Sequence, residues 1–460
     1  MSILIRNGTL VLPDGPQKGD LRLDGGKITE LGKALPCGDS QVVSAEGKLV
    51  FPGFIDTHTH FEMNKGQPNE TADNWTTGSR AALAGGTTCV LDFAEPRRGE
   101  SLQSALDEWH GRADGHASCH YGFHMTIKDW DPRIRAELPH MTRQGVTSYK
   151  VYLAYNGLRI SDATAYEVIR AVGAEGGVVG CHCENGDLID ASIRELKAAG
   201  KLGPSSHPLA HSDVIEGEAV GRWLALAAQA GCPVNIVHLS TRRGLEQALL
   251  ARSHGQKLYL ETCPQYLALN EEKYHLPGFE SAKYVFSPPL RPQSDVEALW
   301  GALADGSIDT IGTDHCSFRY DTAKHLGRDD FSAIPPGIPG TEHRPALLYT
   351  LGVRQGRIDL VQMLRLLCEH PARLFGMYPR KGVLAVGSDA DVVLFDPHHP
   401  WTITARDQYQ NVDYTPYEGM EMAGRTDAVF LNGTLAVQDG RVVREGLGRF
   451  VSRGPAQFWR

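Results

Sequence analysis

The sequence predicts an α/β protein: a (β/α)8 barrel of the TIM type, carrying a small β-sandwich domain formed by the N- and C-terminal segments. Three observations carry this prediction. From about residue 51, eight apolar strand-like runs alternate with amphipathic helical stretches. Turn-rich β segments stand before and after that alternation. An open doubly wound sheet is the alternative, but no Gly-rich phosphate fingerprint follows the first strand.

Residues 1–50 read as short strands with tight turns at Asp14-Gly15 and Asp24-Gly25-Gly26, the N-terminal part of the sandwich. The barrel is expected over 51–378. Its strands are predicted near 51–58, 87–93, 119–126, 147–153, 177–183, 233–239, 256–262 and 307–313. Helical periodicity fills intervening stretches such as Asp162–Glu175, Glu216–Ala230 and Gly244–His254, and two helices near 342–356 and 358–370 close the region. Strand signals return at Val392–Asp396 and Ala428–Gly433, which predicts the C-terminal part of the sandwich over 379–440. The Arg- and Gly-rich tail, 441–460, is expected either to sit at a subunit interface or to be loosely ordered.

Composition narrows the class. A chain of 460 residues, 41% hydrophobic and 22% charged, can bury a large core. Its net charge of -9 argues against a nucleic-acid partner held by bulk electrostatics. Met1 to Asn7 enters at once into strand-like alternation rather than a signal peptide, and no run of apolar residues is long enough for a membrane span. Nine scattered cysteines suit free thiols, and hence a cytoplasmic setting, better than a disulfide framework.

The chemistry gathers where a barrel puts it, at the C-terminal ends of the strands. The first predicted strand ends in His58-Thr59-His60, whose alternation aims two imidazoles to one side. Lys150 lies on the fourth strand, His182 ends the fifth, His238 the sixth, and Asp314 follows the eighth. Singly, each has an ordinary reading: a hydrogen-bonded core histidine, a buried ion pair for Lys150, a helix cap for Asp314. Together they point to a metal site. An ammonium beside divalent cations is unfavourable, so Lys150 fits only if its amine has reacted with carbon dioxide to give a bridging carbamate. Four imidazoles, one carbamate and one aspartate would serve two metals about 3.5–4 Å apart.

The segments Pro52–His60, Ser148–Tyr155, His182–Asp187, Val237–Ser240, Glu261–Leu267, Ser287–Arg291 and Gly312–Cys316, in this order, resemble the hydantoinase/dihydropyrimidinase family of the amidohydrolase superfamily. The resemblance runs over nearly the whole chain. It implies that His58, His60 and Asp314 bind one metal, that His182 and His238 bind the other, and that Lys150, as N6-carboxylysine, bridges them. It implies Asp314 as proton carrier, Tyr155 as donor to the oxyanion, and the backbone of Ser287 as the holder of the ring's amide edge. The implied reaction opens 5-substituted hydantoins or dihydropyrimidines to N-carbamoyl amino acids through a metal-bridging hydroxide. Zinc is the default metal, with manganese or cobalt compatible. The partners implied are a small cyclic ureide and further copies of the chain, as a homotetramer or homodimer.

The chain also departs from that pattern. Pro336 stands where many relatives carry an Asn, so a contact there must use its carbonyl. The loop Phe61–Gly66 is more polar than in most hydantoinases, which leaves other rings such as allantoin, or a cyclic imide, as alternatives. A non-catalytic scaffold of the same family would lack ligands, and all six are present here. Cys181 and Cys183 alternate away from His182 and read as packing residues. His315 and Cys316 are not assigned to a metal. His207 and the pair His398-His399 are expected at the surface.

Overall fold

The computed structural model describes residues 2–460; Met1, where the predicted strand pattern begins, lies outside them. Five strands come first: β1 (Ile3–Leu12), β2 (Gly15–Asp24), β3 (Lys27–Gly32), β4 (Gln41–Ser44) and β5 (Leu49–Pro52). The barrel strands follow: β6 (Phe54–Thr59), β7 (Thr87–Ala94), β8 (His120–Thr126), β9 (Ser148–Tyr152), β10 (Val178–His182), β11 (Val234–Ile236), β12 (Leu258–Thr262) and β13 (Thr310–Ile311). The last group is β14 (Val392–Asp396), the short pair β15 (Trp401–Thr402) and β16 (Glu421–Met422), then β17 (Arg425–Leu431), β18 (Thr434–Gln438) and β19 (Arg441–Val442).

The chain ends do pair. β5 runs antiparallel to β14, with Val50 opposite Leu394, and joins the two arms into one nine-stranded sheet. Strand alternation gives this sheet two buried faces. Phe51, Val393, Phe395, Val429 and Leu431 pack into the main core beneath the barrel. Their neighbours Val50, Val392, Leu394, Ala428 and Phe430 turn the other way and meet Ile3, Ile5, Leu21 and Ile28 of the N-terminal arm. The Gly26 carbonyl accepts the Ala390 amide at 2.9 Å, which folds the β2–β3 hairpin back over the sheet.

The predicted strand across 51–58 is broken in two. Leu49–Pro52 belongs to the terminal sheet, and the barrel begins at Phe54. Gly53 makes the hinge: its amide bonds the Asp391 carbonyl, and a Cβ there would lie 1.9 Å from Thr88 Oγ1.

The eight barrel strands are parallel, in order from β6 to β13. Intervening helices start on side-chain caps, among them Ser101, Asp131, Ser161 and Thr241. The predicted eighth strand shrinks to two residues because side chains replace its ladder. Asp309 accepts the Leu260 amide on one side. On the other, Asp56 accepts the amide and hydroxyl of Thr313, and the buried Arg344 guanidinium donates to the carbonyls of Ile55 and Ile311. This polar seam joins β13 to β6. Two predicted C-terminal helices are present and widen into π-helical turns at Tyr349–Val353 and Arg365–Glu369.

The tail packs under its own barrel. Arg449 and Val451 hydrogen-bond Tyr121, Phe458 and Trp459 lie against Tyr259, and the buried Arg453 reaches Ser148 and the Phe123 carbonyl. Among the described residues no helix is long and apolar enough to cross a membrane.

Candidate active site

All nine residues singled out in the sequence line one cavity of about 410 Å³ at the C-terminal rim of the barrel. His58 and Lys150 rise from β6 and β9, and His182 ends β10. His60, His238, Asp314 and Tyr155 follow β6, β11, β13 and β9 within three residues. Ser287 and Pro336 come from the long connections after β12 and β13.

Asp314 Oδ1 lies 3.1 Å from Nε2 of His58 and 3.2 Å from Nε2 of His60. Nδ1 of His182 lies 3.0 Å from Nε2 of His238. One ligand atom each from His58, His238 and Asp314 fall within 4.8 Å of one another, so the two groups adjoin.

Buried carboxylates fix which nitrogens carry protons. Glu261 accepts from Nδ1 of His58 at 2.7 Å and from the Thr57 hydroxyl. Glu184 accepts from Nε2 of His182 at 2.8 Å and from Nδ1 of His211 at 2.9 Å. Burial holds both histidines below their ordinary pKa, in the neutral form. Each then keeps one unprotonated nitrogen, Nε2 on His58 and Nδ1 on His182, aimed into the cavity. Among the described residues the His58 Nε2 has no hydrogen-bond partner. At His58 the unprotonated Nε2 faces the Asp314 carboxylate at 3.1 Å, a pairing of lone pairs that repels unless a cation lies between them, and carboxylate-oriented imidazoles are the usual dress of a metal ligand. The donor set therefore fits divalent metal ions.

Lys150 is buried, and among the described residues no carboxylate lies within ion-pair distance of it, so the ordinary ion-pair reading fails. Its amine sits 5.1 Å from the ring centroids of both Phe93 and Tyr152. Burial lowers its pKa, which favours the free amine. Asp314 is held well below the carboxylate range: burial pushes it up, but His58, His60 and His238 outweigh that. At His60 burial is likewise outweighed, by Asp314, Asp92 and Glu95, and its pKa rises.

Three of these residues bend the backbone into the left-handed region: Tyr155 at φ 67°, His238 at 41° and Asp314 at 53°. Such positions cost about 1–3 kcal/mol each and cluster at functional sites. Gly312 opens the space behind them, since a Cβ there would lie 2.8 Å from both the Glu261 carboxylate and His58 Cβ.

Several residues escaped the sequence reading. Glu261 and Glu184 lay inside recognised segments without a role. A carboxylate on an otherwise apolar strand, as in Tyr259-Leu260-Glu261, is the signal that could have found the first. His207, expected at the surface, is buried: its Nε2 donates to the Phe286 carbonyl at 2.8 Å, a partner 79 residues away that local sequence cannot announce. Cys181 and Cys183 pack in the core, and His315 is held by Asp73, Gly340 and Thr341 away from the cavity.

A (β/α)8 barrel with four imidazoles, a lysine and an aspartate gathered at its C-terminal rim defines the amidohydrolase class of barrel enzymes. The model of the amidohydrolase family matches residues 49–436. The chain is 41% identical over 455 residues to a D-hydantoinase of Ralstonia pickettii, covering 98% of this chain and 99% of that one. It is 40% identical over 456 residues to a D-hydantoinase of Geobacillus stearothermophilus, covering 98% and 97%. The crystal structure of a dihydropyrimidinase from Brevibacillus agri NCHU1002 superposes with a TM-score of 0.97 at 41% identity, covering 100% of both chains. The chain belongs to the hydantoinase/dihydropyrimidinase family of the amidohydrolase superfamily.

Proposed function

We propose that this protein opens the ring of 5-substituted hydantoins and dihydropyrimidines to N-carbamoyl amino acids, using two divalent metal ions. It is a hydrolase of carbon–nitrogen bonds in cyclic amides. The observation that carries the two-metal reading is the paired tautomer lock, Glu261 on His58 and Glu184 on His182, which leaves one unprotonated nitrogen on each of two histidines of one cavity.

His58, His60 and Asp314 would hold one metal and His182 and His238 the other, with carboxylated Lys150 between them. Zinc suits this ligand set best, and manganese or cobalt also fit. Bound there, such ions activate water and polarise a carbonyl. The rest falls to the chain. Asp314 takes a proton from the attacking water and returns it to the departing ring nitrogen. The Tyr155 hydroxyl, which burial keeps protonated, donates to the oxygen on which charge develops. Backbone groups of Ser287 and Pro336 hold the amide edge of the ring. Tyr152, Leu158, Phe286 and Phe318 exclude water around it.

One observation favours a second substrate. Lys128 follows β8 and Ser287 follows β12, four strands away around the barrel. Lys128 and Glu95 form an ion pair at 3.0 Å on the wall of the cavity that Ser287 and Asn64 also line. This wall offers donors and acceptors to a polar substituent such as the ureido group of allantoin. We further infer a homotetramer or homodimer in the cytoplasm, on the family resemblance and the nine free cysteines.

Ring-opening assays on dihydrouracil, 5-phenylhydantoin and allantoin, run beside metal analysis, test the proposal. Turnover of the first two supports the principal reading, and turnover of allantoin alone the second. Protein that binds metal but opens none of the three would refute both.

A further inference from the structure

The mechanism above leaves the buried Lys324 side chain unused. Lys324 is fully buried, far in sequence from every metal-ligand candidate but Asp314, and has no carboxylate partner among the described residues. Its Nζ donates instead to three backbone carbonyls: Val285 at 2.7 Å, Pro335 at 2.8 Å and Gly337 at 2.8 Å. An ammonium has three protons and no acceptor, so this triad uses all of them.

The identity of those carbonyls matters. Val285 immediately precedes Phe286 and Ser287, and Pro335 and Gly337 flank Pro336. Phe286, Ser287 and Pro335 to Gly337 all line the catalytic cavity. They belong to two separate connections, one after β12 and one after β13. The Gly337 amide also donates to the Val285 carbonyl at 3.1 Å, so two bonds from different groups join the same pair of segments. By engaging the carbonyls on either side, Lys324 leaves that of Pro336 as the one in the tripeptide to which no donor bonds among the described residues.

We propose that Lys324 is a positioning residue for substrate: it clamps the Phe286–Ser287 and Pro335–Gly337 segments together, so that their free backbone groups form one rigid cleft for the amide edge of the ring. Proline at 336 suits this arrangement, because it presents a carbonyl with no competing amide hydrogen. A neutral or apolar residue at 324 would leave buried carbonyls unpaired and let the two segments part. The inference rests on the ring-edge role of Ser287 and Pro336 stated above.

The test compares wild type with Lys324→Met and Lys324→Gln, using dihydrouracil as substrate, with metal content and thermal unfolding measured on each. Gln keeps two donors and Met none. The expected result is a graded rise in KM, reaching about tenfold or more for Met, with kcat within about threefold of wild type. Metal content stays at the wild-type level. Unchanged KM in a folded Met variant overturns the inference and leaves the ring-opening reading standing. A fall in kcat with unchanged KM, a loss of metal, or failure of both variants to fold overturns it too, by assigning Lys324 to the metal site or to general stability. Wild-type protein that opens no ring, with metal bound, counts against the underlying function instead.

Discussion

Glu261 Oε1 lies 2.7 Å from Nδ1 of His58, and the other oxygen of the same carboxylate takes the hydroxyl of Thr57. This relationship crosses from β12 to β6 under the cavity floor, in space that Gly312 keeps clear. It sets the His58 tautomer and so decides which nitrogen faces the cavity.

Glu261→Gln replaces an obligate acceptor with a group that can also donate. Metal affinity is expected to fall about 10- to 100-fold, as for other partners that orient ligand histidines. Metal content after dialysis against graded chelator measures it. Unchanged retention would show that His58 needs no such lock.

Tyr155 stands at a left-handed φ of 67° with its ring centroid 5.0 Å from that of His182. Tyr155→Phe removes only the hydroxyl. The expected loss is about 10²–10³-fold in kcat, with KM changed far less, because the hydrogen bond strengthens as charge develops. Steady-state kinetics on 5-phenylhydantoin distinguish this from a packing role, which would leave kcat near wild type.

Much of this site was legible in the chain because barrel geometry turns strand ends into neighbours. His58, Lys150, His182, His238 and Asp314 lie far apart in sequence, yet a count of eight β/α units brings them to one rim. The departures share a cause as well. β13 was expected to be longer, but Asp56, Asp309 and Arg344 supply its bonds from side chains, and no local pattern reports that. The break at Gly53 was hidden because Leu49 to Ile55 is uniformly apolar, on either side of a residue that changes sheets. Lys324, His207 and Glu184 act on partners that only the folded chain supplies.

Glu342 gives a pH dependence with a definite sign. Burial pushes its carboxyl up to about 8, although the amides of Tyr409 and Gln410 favour the charged form. A folded-state pKa above the unfolded value means that the native chain holds this proton more tightly. The stability it contributes is fully present below the ordinary glutamate range and is lost as pH rises through about 8. Glu342→Gln cannot ionise. Thermal unfolding of both proteins at pH 5 and pH 9 should show the variant gaining on wild type at the higher pH, by on the order of a few kcal/mol. A difference that does not change with pH would contradict the assignment.

Hydrolysis of cyclic ureides through two metals, with carboxylated Lys150 between them, is the proposed chemistry of this barrel. It is tested most directly by reconstitution. Metal-stripped wild type and Lys150→Ala are titrated with zinc in the presence of bicarbonate, and dihydrouracil opening is followed at each addition. The account predicts that wild-type activity rises until two metal ions are bound per chain, while Lys150→Ala stays inactive and binds fewer. Full activity in the stripped protein, or wild-type activity in Lys150→Ala, would contradict it.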